Sequence, residues 1–176
     1  MEKYERLERN LVHKGILFDY YQDKIKVPNG NIATWDFIGH KGAAAVVAVN
    51  AEGKLLMVRQ YRNALDRETL EIPAGGLEGE PTDVAAAREL EEETGYKAGK
   101  LEFLISIYTT VAFCNEKIDI YLATDLIPSK QHLDEDEFIN VEVYDIEELA
   151  QMIYEGKIQD GKTVSALMAY KNKYCR

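Results

Sequence analysis

The chain has 176 residues, of which 46% are hydrophobic and 30% charged, a composition typical of a globular protein with one domain and room for a small extension. Its 31 acidic and 21 basic residues give a net charge of -10, which disfavours nucleic-acid binding. We expect no membrane association, because no apolar run approaches the ~20 residues that span a bilayer, and the low cysteine usage favours a cytoplasmic location. The charged N-terminus is unlike a signal peptide, and two cysteines form no disulfide framework.

The predicted elements begin with strands in the first forty residues. These strands flank the turn residues Pro28, Asn29 and Gly30, which are strong turn formers. The apolar run AAAVVAV, residues 43–49, is typical of a strand buried on both faces. Together with the next strand it predicts a hairpin over residues 42–62.

A helix is predicted over residues 80–94. Pro81 suits its first turn, Asp83 complements the helix dipole and Gly95 is placed to end it. A helix turns by ~100° per residue. The predicted packing face consists of the residues that share one arc at this rotation: Val84, Ala87, Leu90 and Thr94.

The later elements alternate strand and helix. Strands are predicted at 101–109, 117–126 and 140–146. Asp145 and Glu148 resemble a capping box that opens a helix ended by Gly156, and a last helix covers roughly 163–174. This order predicts an α/β fold in which helices cover a mixed sheet.

The helix at 80–94 is strongly acidic. Glu89, Glu92 and Glu93 share a second arc, whereas Glu91 falls at the edge of the packed side. Arg88 stands four residues before Glu92 and can pair with its carboxylate. Three convergent carboxylates repel one another, and a hard divalent cation such as Mg²⁺ would offset that repulsion. The alternative is an ordinary solvated acidic face.

A glycine-rich segment, PAGGLEGE, precedes this helix. Gly75 and Gly76 allow tight turns and close approach of the backbone to a ligand. A carbonyl oxygen in this segment could complete the coordination shell of a cation held by the helix. The alternative is a simple turn between strand and helix.

These residues resemble the Nudix box, the signature of Nudix hydrolases. The pattern is Gly, five residues, Glu, seven residues, then Arg-Glu-U-x-Glu-Glu-x-Gly-U, where U is bulky and apolar. From Glu80 to Tyr96 every fixed position is matched. Before Glu80, however, Gly75 is followed by four residues instead of five. Either the loop is one residue short after Gly75, or Ala74 takes the place of the glycine.

The flanking segments resemble the ADP-ribose pyrophosphatase branch of that family. The resemblance covers roughly residues 40–172 through the segments VRQYR, ETLEIPAG, FCNEKIDIYLA, LDEDEFINVEVYDIEEL and EGKIQDGKTVSALMAY. It implies hydrolysis of the pyrophosphate bond of ADP-ribose or a related nucleoside diphosphate sugar, giving AMP and a sugar phosphate. The alternatives are another nucleoside diphosphate derivative (NADH, a dinucleoside polyphosphate or an oxidised nucleotide) and a ligand sensor that does not cleave.

The resemblance also implies a metal site. The carbonyl of Ala74 and the side chains of Glu89 and Glu93 would bind Mg²⁺ or Mn²⁺, with Glu92 near them and oriented by Arg88. Divalent cations suit this chemistry because they neutralise phosphate oxygens and help to deprotonate a water.

In the acidic loop DEDE, the resemblance makes Glu135 the general base. Glu137 is a further metal ligand or an alternative base. A carboxylate on a loop can approach only after substrate and metal have bound, which is a form of gating. A solvated acidic turn is the alternative interpretation of this loop.

The resemblance also implies substrate contacts. Arg62 would contact the phosphates, Glu116 would lie near the terminal ribose, and the backbone at Gly75 and Gly76 would approach the ligand. Trp35, the single tryptophan, would stack on the adenine, although a lone Trp is more often part of a core.

The sequence therefore predicts a Nudix fold, an α/β/α sandwich around a mixed sheet, in residues 41–176. Residues 1–40 are predicted to form a β extension that helps to make a homodimer and contacts the adenine. The expected partner is a small nucleoside diphosphate sugar, with no nucleic acid or membrane.

Overall fold

The computed structural model describes residues 3–133, 135 and 137–175. Asp134 and Asp136 of the predicted acidic loop lie outside the described residues. The chain divides into two compact units, described separately below: the first is Met1–Gly42 with Tyr108–Lys117, and the second is Ala43–Ile107 with Ile118–Arg176. Within the described part of the chain, no helix has the length and apolar character needed to cross a membrane.

The first unit contains a three-stranded antiparallel sheet. Its strands, in spatial order, are β1 (Glu5–Lys14), β2 (Asp19–Lys26) and β3 (Ile32–Gly39). The predicted turn joins β2 and β3: Gly30 adopts φ 88°, and its N–H donates to the Val27 carbonyl. A positive φ of this size favours glycine. Every residue of β1 is exposed.

The second unit contains a mixed sheet, a short two-stranded sheet and three helices in its described residues. The elements are β4 (Ala43–Val49), β5 (Leu55–Arg62), β6 (Arg67–Glu71), β7 (Ala74–Gly76), α1 (Thr82–Thr94), β8 (Tyr96–Lys97), β9 (Lys100–Tyr108), β10 (Lys117–Thr124), β11 (Ile127–Pro128), β12 (Asn140–Tyr144), α2 (Ile146–Tyr154) and α3 (Gly161–Tyr174). The main sheet has the order β12-β5-β4-β10-β9, with β6 beside β5 and β7 beside β4, while β8 pairs with β11. Strands β4 and β10 run parallel, whereas β12 is antiparallel to β5.

Strand β4 lies at the centre of the second unit and is buried along its whole length. Alternate side chains of a strand point to opposite faces. On one face Ala44, Val46 and Ala48 join a core with α1, and on the other Ala45 and Val47 join a core with α2 and α3. The predicted double burial and the predicted α/β/α layering are therefore both present. Full burial of one leucine or valine in such a core contributes roughly 2 kcal/mol.

Helix α1 ends where predicted, but it begins at Thr82, two residues later than predicted, and has a different packing face. It follows Pro81 and ends at Gly95, which adopts φ 72°. The predicted face was wrong at Val84, which is 51% exposed, while Ala86 and Leu90 are fully buried. The buried face is rotated because it also includes glutamates, which the count of apolar residues left out.

At the starts of the other two helices, one predicted cap was wrong and one cap was not predicted. Asp145 precedes α2, but its side chain makes no capping hydrogen bond. Its carboxylate instead lies 3.4 Å from the Lys54 ammonium. Helix α3 begins at Gly161, slightly earlier than predicted, because the Asp160 carboxylate accepts from the N–H of Thr163 at 3.0 Å.

Candidate active site

The glycine-rich strand β7 packs against α1. The N–H of Ala74 donates to the Glu93 carboxylate at 3.0 Å. At Gly75 a Cβ would overlap the Glu89 carboxylate, whereas at Gly76 it would meet nothing within 4 Å. Gly75 therefore lets the Glu89 carboxylate lie directly on the backbone. The structure brings together the segment and the helix that the sequence predicted to share a site.

Arg88 connects four groups around this site. Its Nη1 donates to Glu89 at 2.7 Å and to Glu92 at 2.8 Å. Its Nη2 donates to Glu80 at 2.8 Å and to the Gly76 carbonyl at 3.2 Å. The predicted pairing of Arg88 with Glu92 is present. The same guanidinium also ties the loop before α1 to the helix, which a helical wheel does not show.

Two carboxylates of α1 are buried. Glu93 is 3% exposed and Glu89 is 8% exposed. Burial raises the pKa of Glu89 to about 7, against the opposing effect of Arg88. Burial also raises the pKa of Glu93 to about 8, against the opposing hydrogen bond from Ala74. The charge of Glu137 adds to both increases, because a nearby like charge disfavours ionisation.

These residues fit a divalent cation in chemistry, since the predicted ligands are all oxygens and the buried carboxylates lack full compensation. In this conformation no three acidic, histidine or cysteine side chains of the described chain are gathered to hold a metal ion. Arg88 forms ion pairs with Glu89 and Glu92.

The segment before the acidic loop is anchored to the end of α1. The N–H of His132 donates to the Glu92 carbonyl at 2.9 Å, and Nε2 of Gln131 donates to the Glu93 carbonyl at 2.7 Å. Glu135 and Glu137 follow and are exposed. The charge of Glu137 acts on both buried carboxylates. Sequence reasoning missed these anchors, which join residues almost 40 positions apart.

Arg62 is held by a buried acid that the sequence did not reveal. Its Nε and Nη2 donate to the two oxygens of Glu71 at 2.8 and 2.6 Å. Glu71 is 2% exposed, and it also accepts from Lys162 and Thr69. Although burial raises the pKa of Glu71, its hydrogen bonds to Arg62 and its charge interaction with Lys162 lower it to about 2. A signal existed in the sequence: Glu71 stands between the apolar residues Leu70 and Ile72.

The remaining predicted residues belong to the first unit. Trp35 is exposed on β3, with its ring centroid 5.8 Å from that of Tyr4. It lines a groove of about 790 Å³ together with Tyr20 and Phe113, and aromatic walls suit a flat ring. Glu116 accepts from the Thr109 hydroxyl at 2.7 Å.

The chain is similar to proteins of known family. The family model described as the NUDIX domain matches residues 39–167. The chain is 39% identical over 164 residues to the ADP-ribose pyrophosphatase of Bacillus subtilis (strain 168), covering 92% of this chain and 89% of the relative. It is 44% identical over 148 residues to the methanol dehydrogenase activator of Bacillus methanolicus, covering 82% and 80%. A crystal structure of an ADP compounds hydrolase matches with a TM-score of 0.86 at 24% identity, covering 98% and 94%, which confirms the predicted fold class.

Proposed function

This chain belongs to the Nudix family, and on that premise we propose that it hydrolyses the pyrophosphate bond of ADP-ribose or a related nucleoside diphosphate sugar. The products are AMP and a sugar phosphate, and the cofactor is Mg²⁺ or Mn²⁺. The observation that carries the proposal is the buried pair Glu89 and Glu93 against glycine-rich backbone. The similarity to an ADP-ribose pyrophosphatase supports the substrate class.

Glu89, Glu93 and the carbonyl of Ala74 hold the cation in this proposal, with Glu137 as a further ligand. A divalent cation supplies neutralisation of the diphosphate oxygens and a lower pKa for a bound water. Burial raises the pKa of Glu89 to about 7 and that of Glu93 to about 8, so both carboxyls hold a proton more readily than an exposed glutamate. Binding of a cation by these carboxylates would therefore be coupled to proton release.

The acidic loop supplies the base. Glu135 is exposed and takes the proton of the attacking water, with Glu137 as the alternative base. The anchors at His132 and Gln131 keep the start of the loop at the end of α1. Arg88 orients Glu92 at the edge of the cluster through their 2.8 Å hydrogen bond.

The proposed substrate contacts are those that the family resemblance implies. Arg62 presents its outer edge to the diphosphate, because its inner edge is paired with Glu71 while its side chain is 40% exposed. The backbone at Gly75 and Gly76 approaches the ligand. Trp35 stacks on the adenine and Glu116 contacts the terminal ribose. The proposal includes a homodimer formed with the N-terminal β extension and a cytoplasmic location.

A substrate panel tests the proposal. The purified protein is incubated with ADP-ribose, other ADP-sugars, NADH and a dinucleoside polyphosphate, each with Mg²⁺ and with Mn²⁺. Release of AMP and ribose 5-phosphate from ADP-ribose, identified by mass spectrometry, supports it. Failure of the folded protein to turn over any ADP-sugar contradicts it. Calorimetry with ADP-ribose, with and without Mg²⁺, identifies a sensor that binds without cleaving.

One finding favours a second candidate, the activation of a partner dehydrogenase. It is the 44% identity to a methanol dehydrogenase activator. The two candidates are separable, because hydrolysis is measured on the protein alone and activation requires the partner. An equimolar addition that leaves the rate of a purified methanol dehydrogenase unchanged contradicts this second candidate.

A further inference from the structure

The first turn of α3 is bonded to the strand segment that leads into the candidate metal site. The N–H of Ile72 donates to the Thr163 hydroxyl at 3.1 Å. That hydroxyl donates in turn to the Asp160 carboxylate at 2.6 Å. Two residues after Ile72, the N–H of Ala74 donates to Glu93. The beginning of α3 therefore fixes the backbone on which the metal site is built.

Lys162, in the same turn, reaches the acid that holds Arg62. Its buried ammonium donates to Glu71 and, at 3.0 Å, to Asp160. Among Arg62, Glu71 and Lys162 there are two positive charges and one negative charge. Asp160 also accepts from a backbone N–H at the N-terminus of α3, and with Asp160 included the cluster carries two positive and two negative charges. The Glu71 carboxylate is thus paired with two cations, Lys162 and Arg62, and not with Arg62 alone.

Arg62 has one edge left for a ligand. Both of its hydrogen bonds to Glu71 use Nε and Nη2. In the part of the chain that the structure describes, Nη1 donates no hydrogen bond, and the side chain is 40% exposed. A guanidinium fixed on one edge by a carboxylate presents its other edge in a defined orientation, as recognition of a phosphate requires.

We propose that Lys162 is a positioning residue for the diphosphate: as the second cation on Glu71 it holds that carboxylate in place, and Glu71 in turn keeps Arg62 oriented toward the substrate. The inference rests on the proposed function and deepens it. Lys162 does not contact the substrate in this proposal and acts through Arg62.

A double-mutant cycle tests this inference. The proteins are the wild type, Lys162→Met, Arg62→Met, the double variant and a control, Lys171→Met. Lys171 lies on α3, as Lys162 does, and its substitution removes an exposed ion pair with Glu147 of α2. KM and kcat for ADP-ribose are measured at saturating Mg²⁺, with the melting temperature as the check on folding. We expect Lys162→Met to raise KM about tenfold, as for the loss of one charge-assisted interaction, with little change in kcat.

The cycle separates positioning from packing. If Lys162 acts through Arg62, adding Lys162→Met to Arg62→Met raises KM no further. A KM for the folded Lys162→Met protein equal to that of the wild type overturns the inference, as do effects that multiply in the double variant. Lys171→Met is expected to keep the wild-type KM. If Lys162→Met does not fold, it is replaced by Lys162→Gln, which keeps a donor to Glu71 but lacks the charge. The KM values of this variant are then interpreted in the same way.

If the proposed function is wrong, the outcome can be distinguished from a failure of the positioning role of Lys162. If the wild type does not cleave ADP-ribose, the same proteins are titrated with ADP and Mg²⁺ by calorimetry, and Kd replaces KM in the cycle. A tenfold weaker Kd for Lys162→Met, absent in the Arg62→Met background, supports the inference without turnover. Absence of ADP binding by the wild type overturns it.

Discussion

Replacing Glu93 by Gln should make the stability of the metal-free protein much less sensitive to pH. Glu93 is 3% exposed, and burial raises its pKa to about 8 from the ordinary value of 4.5. Glutamine has a similar shape and cannot ionise. The variant therefore removes one buried titration while keeping an acceptor for the N–H of Ala74, which donates to Glu93 at 3.0 Å.

The sign and size follow from the two pKa values. A carboxyl whose pKa is higher in the folded state binds its proton more tightly there, so its stabilising contribution is complete below about pH 4.5 and is lost as pH rises through about 8. Between about pH 5.5 and about pH 8.5 this linkage removes about 3 kcal/mol of unfolding free energy from the wild type. Glu93→Gln does not lose this unfolding free energy, because the glutamine side chain cannot ionise.

Urea unfolding in EDTA, followed by circular dichroism across this pH range, measures the difference. Glu91→Gln is the matched control, because hydrogen bonding to Ser129 lowers the pKa of Glu91 and its titration lies below the range. We expect the wild type and Glu91→Gln to lose stability in parallel and Glu93→Gln to lose about 3 kcal/mol less. Parallel curves for the wild type and Glu93→Gln would refute the reasoning.

Three further substitutions test other parts of the site. Gly75→Ala places a Cβ on the Glu89 carboxylate; we expect kcat to fall about a hundredfold, and an unchanged kcat would contradict the packing described. Arg88→Met leaves Glu89 without its ion pair, so the free energy of unfolding at neutral pH should fall by about 2 kcal/mol in urea titrations; an unchanged value would show that the guanidinium does not stabilise the metal-free site. Trp35→Ala should raise KM for ADP-ribose about tenfold at constant kcat, and a fall in kcat alone would place Trp35 outside the substrate contacts.

Local sequence patterns were sufficient to predict the structural features that depend only on neighbouring residues. The apolar run of β4 indicated double burial, and Gly95 ended α1 as its left-handed φ allows. The spacing of Glu89 and Glu93 placed them on one side of the helix, and the structure buries both. A helix fixes such relations over one turn, so they can be predicted before the tertiary fold is known.

Relations between distant segments could not be predicted in this way. Val84 was assigned to the packing face because only apolar residues were counted, while the buried face also takes Glu89 and Glu93. Glu71 and Lys162 are 91 positions apart, and no periodicity links them. The bond between Lys162 and Glu71 therefore forms only when the first turn of α3 meets the end of β6.

The most direct test of the central claim compares two glutamates of α1. The rate of AMP formation from ADP-ribose is measured with saturating Mg²⁺ for the wild type, Glu93→Gln and Glu91→Gln. If Glu93 holds the catalytic cation, Glu93→Gln lowers kcat by about a hundredfold or more, while Glu91→Gln stays close to the wild type. A Glu93→Gln protein that cleaves ADP-ribose at the wild-type rate would contradict the metal assignment and, with it, the proposed active site.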